Sequence, residues 1–229
     1  MQLYLNFSCE KSNSPMTFVL NQNPSIANHM LRELRDKDIQ RDSMRFRNNI
    51  EKLGSIMAYE ISKVFQYHPE TISTPLGSSV ISVLNQQPVL ITVLRAGLPY
   101  FQGFQKFFDQ AECGFIGAFR NEGNDEITIS LNYLATPSLQ NREVILIDPM
   151  LATGKSFVKS FNALVKYGKP AHVHIASLVA VPDGIQFIKQ NLNVPHTVWT
   201  WALDEGLNEQ SYIVPGLGDA GDLCFGTKL

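Results

Sequence analysis

The chain has 229 residues, 44% of them hydrophobic and 17% charged, which suits one large folded domain with a sizeable core and excludes a disordered chain. Its 19 Lys and Arg against 21 Asp and Glu leave a net charge of −2, so no basic excess advertises a nucleic acid partner. The three cysteines, Cys9, Cys113 and Cys224, are scattered and form no CxxC pair, which argues against a disulfide framework or a zinc site and suits a reducing, cytoplasmic setting.

No apolar run approaches the roughly 18 residues that a membrane span needs, and no membrane partner is expected. The segment MQLYLNFSCEKSNSPM carries neither a basic start nor an apolar run fit for a signal peptide. Residues 1–15 show no clear period and read as an N-terminal tail, leaving 16–229 as a single domain. Two helical patterns follow. Ser25 can cap one with apolar positions Ile26, Met30, Leu31 and Leu34; Ser43 can cap a longer one that carries Phe46, Ile50, Leu53, Met57, Ile61 and Val64. Each has one apolar face and one charged face, so both should pack on something larger.

From residue 88 the pattern alternates. Val89–Leu94 and Val144–Ile147 are near-continuous apolar runs, as expected of strands covered on both faces. His172–Val181 and Val198–Leu203 make a third and fourth strand. Helical patterns follow the first three: one through Phe108, one with Phe157, Val158, Phe161, Leu164 and Val165, and one with Ile185, Ile188 and Leu192. This alternation predicts an α/β fold, a parallel sheet flanked by helices. Ligands in such sheets bind at the carboxyl ends of the strands, which points to Arg95–Gly97 and Asp148–Ser156. Residues 115–134 look like a hairpin leaving the sheet. Tyr212–Phe225, with Pro215 and Gly216, Gly218 and Gly221, reads as an ordered loop.

Asp148-Pro149-Met150-Leu151-Ala152-Thr153-Gly154-Lys155-Ser156 lies between a buried strand and a helix. Backbone N–H groups of 153–156 would converge there at a helix N-terminus, a natural anion site, with Thr153 and Ser156 adding hydroxyls. Asp148 could bind sugar hydroxyls or assist a metal-bound substrate. The plainer reading is an ordinary strand–helix loop with Ser156 as the cap. Gly154-Lys155-Ser156 is no triphosphate P-loop, because position 149, where that motif needs its first glycine, is proline.

DPMLATG resembles the phosphoribosyl-diphosphate (PRPP) loop of type I phosphoribosyltransferases, in the variant used by uracil phosphoribosyltransferases. VLRAGLPYFQGF is similar to that family's diphosphate-binding strand and loop, AFRNE to its arginine-bearing arm, YIVPGLGDAGDLCFGTK to its uracil-reading tail, and MRFRNNIEKLGSIMAYE to its N-terminal helix. The resemblance implies a type I phosphoribosyltransferase fold, with a β-arm and a small hood from the N- and C-terminal segments. The implied activity joins uracil to PRPP, giving UMP and diphosphate in pyrimidine salvage, with Mg2+ bound mainly through PRPP. Arg95 and Arg120 match the two arginines that meet PRPP, and Asp148–Ser156 the loop holding its ribose and 5-phosphate. Arg95, Arg120 and Asp148 are thereby the catalytic candidates. Ile213, Gly218, Asp219 and Ala220 match the base-reading residues, with Asp219 also near PRPP. A homodimer or higher homo-oligomer is implied as well, with the 115–134 arm reaching the partner subunit.

Elementary chemistry agrees with these roles. Arginine gives permanent, bidentate contacts to phosphate oxygens, although either arginine alone would read more simply as a surface ion-pair partner. Glycines let backbone N–H and C=O groups come close to a flat ring. One residue departs from the family pattern: Lys155 stands where a second glycine is usual, and would obstruct the site only if that backbone required positive φ. His172 and His174 lack the companions of a metal site and read as core or strand-edge residues; Trp199 and Trp201 read as packing. The rival from another class is a regulatory protein on the same fold, responsive to pyrimidine nucleotides or binding RNA. It should show a basic face and little need for an intact base-reading tail.

Overall fold

The computed structural model describes residues 16–121 and 128–228, without the side chains of 118–132. Strand β1 (Met16–Val19) leads to helices α1 (Ala27–Arg35) and α2 (Ser43–Ser62). A hairpin of β2 (Tyr67–Thr74) and β3 (Gly77–Leu84) precedes β4 (Val89–Leu94) and α3 (Gly97–Gln105). Next come β5 (Glu112–Asn121), β6 (Thr128–Ala135), β7 (Glu143–Ile147), the two-residue β8 (Met150–Leu151) and α4 (Lys155–Leu164). Then follow β9 (His172–Ala180), α5 (Pro182–Asn191), β10 (His196–Leu203), the short pair β11 (Gly206–Leu207) and β12 (Ile213–Val214), and α6 (Ala220–Phe225).

The main sheet runs in the order β1-β10-β9-β7-β4-β5-β6, with β8 also paired to β9. All neighbours are parallel except β5 and β6. Period-2 alternation sends side chains to two separate cores. One gathers Leu90, Ile145, Ile147, Leu178 and Trp201 with Phe46, Ile50, Leu53 and Met57 of α2 and Tyr100, Phe101 and Phe104 of α3. The other gathers Val89, Ile91, Val144, Leu146, Val173, Ile175 and Val198 with Phe157 and Phe161 of α4 and Ile185 and Ile188 of α5. Covering both faces forces the near-continuous apolar runs seen in the sequence.

Several expectations need correction. Asp42, not Ser43, caps α2, its carboxylate accepting the N–H groups of Met44 (3.1 Å) and Arg45 (3.0 Å). Ser43 is already the first helical residue. Ser25 makes no side-chain cap either: α1 follows Ile26, and Ser25 gives only its carbonyl to the N–H of Asn28. Strand β1 and the β2–β3 hairpin were not expected. The hairpin pairs eight positions from Tyr67–Leu84 to Thr74–Gly77 yet is mostly exposed on both faces, so it carries no amphipathic period. The expected 115–134 hairpin is present as β5 and β6, whereas residues 122–127 lie outside the described residues. It belongs to the sheet at first, because β5 pairs with β4 through Gly117, where the register to β6 also shifts.

The histidines and tryptophans take structural roles. Trp199 stacks on Phe18 at 4.2 Å and donates its indole N–H to His174 Nδ1 at 3.2 Å. That bond leaves Nε2 of His174 to donate to Glu143 Oε2 at 3.1 Å. His172 meets Thr197 Oγ1 at 2.9 Å, and its ring lies 4.6 Å from that of His174. Burial lowers the His172 pKa to about 4; the neighbouring His174 and His196 add to this and Glu143 opposes it. A histidine kept neutral in the fold binds its proton more readily when unfolded. Its stabilising contribution is therefore full above about pH 6.5 and is lost as pH falls toward 4. The thermal midpoint should drop across that window, and His172→Gln, which keeps a partner for Thr197, should flatten the drop in calorimetric scans between pH 7.5 and 4.5.

Candidate active site

Three ionisable residues stand immediately after parallel strands at one edge of the sheet: Arg95 after β4, Asp148 after β7 and Asp204 after β10. Strands covered on both faces have no room for charge until they end, so this edge is where polar chemistry can begin. The sequence reading found the first two. It missed Asp204, although the same rule applied to the fourth strand would have found it.

The loop after β7 is held as an extension of the sheet. Ile147 pairs with Ala176 and Met150 with Val179, so the register with β9 is unchanged across Asp148-Pro149. The N–H of Asp148 donates to Ala176 O, Pro149 O accepts from Leu178 and Val179, and Leu151 O accepts from Val181. Asp148 Oδ1 accepts the N–H of Met150 at 3.1 Å. The chain then turns at Gly154, whose φ of +73° suits glycine. A Cβ there would lie 2.6 Å from the carbonyl of Gly184 in α5.

Helix α4 begins at Lys155, with Gly154 at its N-cap and no side-chain cap bond. Ser156 is therefore not the cap. Thr153 Oγ1 accepts the N–H of Lys155 at 3.4 Å. Lys155 is exposed and lies outside the positive-φ region, so the backbone does not require glycine there and the lysine does not strain the loop.

The segment after Asp204 crosses this edge and is pinned at both ends. At the β10 end, Asp204 accepts from Arg35 Nη2 (2.7 Å), Arg35 Nη1 (3.0 Å) and the N–H of Gly216 (2.9 Å). At the β4 end, Arg95 Nη2 donates to Asp222 Oδ1 and Gly226 O, each at 3.2 Å. Arg47 Nη1 adds a bond to Cys224 O at 2.5 Å. The segment is not wholly a loop, as it holds β12 and α6. Asp219 caps α6, its Oδ1 accepting from Gly221 (2.8 Å) and Asp222 (3.0 Å). Burial pushes the Cys224 thiol up to about 12, so it is not a nucleophile.

Of the residues singled out from sequence, Arg95 and Asp148–Ser156 thus lie on one edge, and the segment with Ile213, Gly218, Asp219 and Ala220 is tied to that edge through Arg95. Ile213 and Ala220 are buried and Gly218 is exposed. Arg120 belongs to β5, but its side chain lies outside the described residues. Arg35, Arg47, Asp204 and Asp222 were not among the candidate site residues, the basic residues of 32–52 reading first as a solvated helical face; for the two N-terminal arginines no local signal exists, because their partners are more than 160 residues away.

Among solved structures, the fold is similar to that of the AQ2163 protein from Aquifex aeolicus, at a TM-score of 0.82 and 27% identity over 93% of this chain and 100% of that one. A parallel sheet with a ligand edge of this kind, preceded and closed by terminal segments, has the architecture of the type I phosphoribosyltransferases. The family model described as uracil phosphoribosyltransferase matches residues 20–227. Curated relatives named uracil phosphoribosyltransferase include one from Porphyromonas gingivalis, 44% identical over 90% of this chain and 95% of its own length. Another, from Pyrococcus furiosus, is 36% identical over 86% of this chain and 84% of its own. The chain belongs to the uracil phosphoribosyltransferase family.

The turn at Gly154 supplies a direct test of how the loop is held. Gly154→Ala adds a Cβ at positive φ and against Gly184 O, and should cost about 1–3 kcal/mol of stability. Urea unfolding would show the shift in midpoint.

Proposed function

We propose that this chain transfers the phosphoribosyl group of PRPP to uracil, giving UMP and diphosphate. The observation that carries the reading is the family match over residues 20–227, together with the arrangement of its motifs on a single sheet edge. A ring nitrogen of uracil forms a bond to the anomeric carbon as the bond from that carbon to the diphosphate oxygen breaks, with inversion. The nitrogen's proton passes to solvent, and no side chain is assigned as base. Positive charge builds on the ribose while negative charge localises on the departing diphosphate.

Arg95 and Arg120 hold the diphosphate through bidentate, permanently charged contacts. Arg95 also donates through Nη2 to the tail, and a diphosphate held bidentately replaces one of those bonds, because both paired edges of a guanidinium include Nη2. Asp148–Ser156 fix the ribose and 5-phosphate, with Asp148 next to the ribose and the backbone N–H groups at the start of α4 toward the phosphate. Lys155 adds its charge at that helix start. Ile213, Gly218, Asp219 and Ala220 present the pyrimidine. Positioning of this kind supplies up to about 7–11 kcal/mol of a barrier in favourable cases.

Among the described residues no three His, Cys, Asp or Glu side chains gather as a metal site. The carboxylates of Asp148 and Asp219 are hard oxygen donors, which fits a magnesium ion held mainly by the oxygens of PRPP. When bound, it neutralises charge on the diphosphate. Residues 16–229 act as one phosphoribosyltransferase domain in a homodimer, with 115–134 as the arm toward the partner and 212–225 as the base-reading segment. A reducing cytoplasm suits the free thiols of Cys113 and Cys224; no helix among the described residues is long and apolar enough to cross a membrane.

Diphosphate release from PRPP and magnesium, compared with uracil, cytosine, orotate, hypoxanthine and no base, tests the assignment. Release with uracil alone, accompanied by UMP, is the expected result. Release with a different base would overturn the substrate, and binding of UMP without turnover would favour a regulatory protein. Arg95→Ala should lower kcat by about 100-fold or more; near-normal turnover would remove Arg95 from the diphosphate site.

A further inference from the structure

We propose that the partly buried pair Arg35–Asp204 is a positioning device for the base-reading segment, setting affinity for the pyrimidine more than for PRPP. This rests on the reading of residues 212–225 as the segment that presents the base. Asp204 is rigid before it makes any side-chain contact, because its N–H donates to Ala180 O at 2.8 Å, continuing the pairing of β10 with β9. Its side chain is only 5% exposed, and that of Arg35 is 23% exposed.

The two side chains hold both polar groups of Gly216. Asp204 Oδ2 accepts the Gly216 N–H at 2.9 Å, and Arg35 Nη1 donates to Gly216 O at 3.3 Å. That N–H and that carbonyl belong to successive peptide planes, so neither plane can turn without breaking a charge-assisted bond. With its amide oriented to donate, Gln40 extends the grip by reaching Leu34 O (2.9 Å) and Leu217 O (2.8 Å). Gly216 and Leu217 lie between Ile213 and Gly218, so the restraint acts in the middle of the segment assigned to the base. The PRPP loop is held separately, by β9 and α5.

A buried ion pair is a poor way to gain stability, since desolvation offsets most of its attraction. It does fix direction, and a pyrimidine read by backbone groups needs those groups correctly aimed. The pair contacts neither substrate in this reading; it acts through Gly216.

The experiment measures KM for uracil, KM for PRPP and kcat in Asp204→Asn and Arg35→Lys, well below each variant's unfolding midpoint. Asp204→Asn keeps the shape and removes the charge; Arg35→Lys keeps the charge and removes the planar fork. The expected result is a rise in the uracil KM of about tenfold or more, with the PRPP KM within about twofold of the parent. Arg35→Lys carries the test if Asp204→Asn does not fold. An unchanged uracil KM in a folded variant, or an equal rise in both KM values, would overturn the proposal. Gly218→Ala separates the two layers: φ there is +85°, and a Cβ would meet only Leu223 at 3.7 Å, so it perturbs the segment without the pair. A raised uracil KM in Gly218→Ala alongside an unchanged one in Asp204→Asn would remove the pair and keep the segment. An unchanged uracil KM in Gly218→Ala would bring down the base-reading assignment itself, and the proposal with it.

Discussion

The central constraint is that β4, β7, β9 and β10 are paired on both sides and covered on both faces. Within them almost every residue is buried, and an unpaired charge in such a place would cost several kcal/mol. The chain introduces charge only where these strands begin or stop. Arg95, Asp148 and Asp204 are the first residues beyond three of them, and each is tied back to backbone or to a neighbouring segment. The apolar core thus confines the charged residues of these four strands to their ends, Glu143 opening β7 and Arg95, Asp148 and Asp204 following β4, β7 and β10.

The remaining architecture bridges those strand ends. The segment from Asp204 to Gly226 leaves β10 and returns to Arg95 beyond β4, passing the ends of the two strands between them. The N-terminal region holds it from outside: Arg35 reaches Asp204 and Gly216, and Arg47 reaches Cys224. Helices α1 and α2 therefore do more than cover a sheet face. Arg95 joins the end of β4 to the end of this segment, through the bonds of its Nη2 to Asp222 and Gly226.

How much of this was legible can be seen element by element. The buried strands and the apolar face of α2 were readable, because burial on both faces or on one stripe leaves a plain pattern. The β2–β3 hairpin was not, because Glu70, Thr71, Ser73, Ser78 and Ser79 leave neither face consistently apolar. Strand β1 is four residues long and gains its place only by pairing with β10. The helix caps were displaced by one or two residues, since Asp42 and Ser43 are both capable caps and local geometry selects between them. Lys155 illustrates the opposite case: the departure from the family pattern was visible, but its harmlessness depended on a backbone angle that a sequence does not display.

The amino-acid sequence alone determined the α/β class, the two motif-bearing loops and the family resemblance, because apolar runs and short contiguous motifs are local properties. Only the tertiary structure decided that Arg35 would meet Asp204, that Arg95 would hold Asp222 and Gly226, and that Asp219 would cap a helix. Contacts between residues 127 to 169 positions apart leave no periodic trace, since neither partner's neighbours need to change for the pair to form. They arise when sheet order and crossover hand bring the ends of β4 and β10 to the same edge, and from that moment geometry, rather than spacing in the chain, selects the partner.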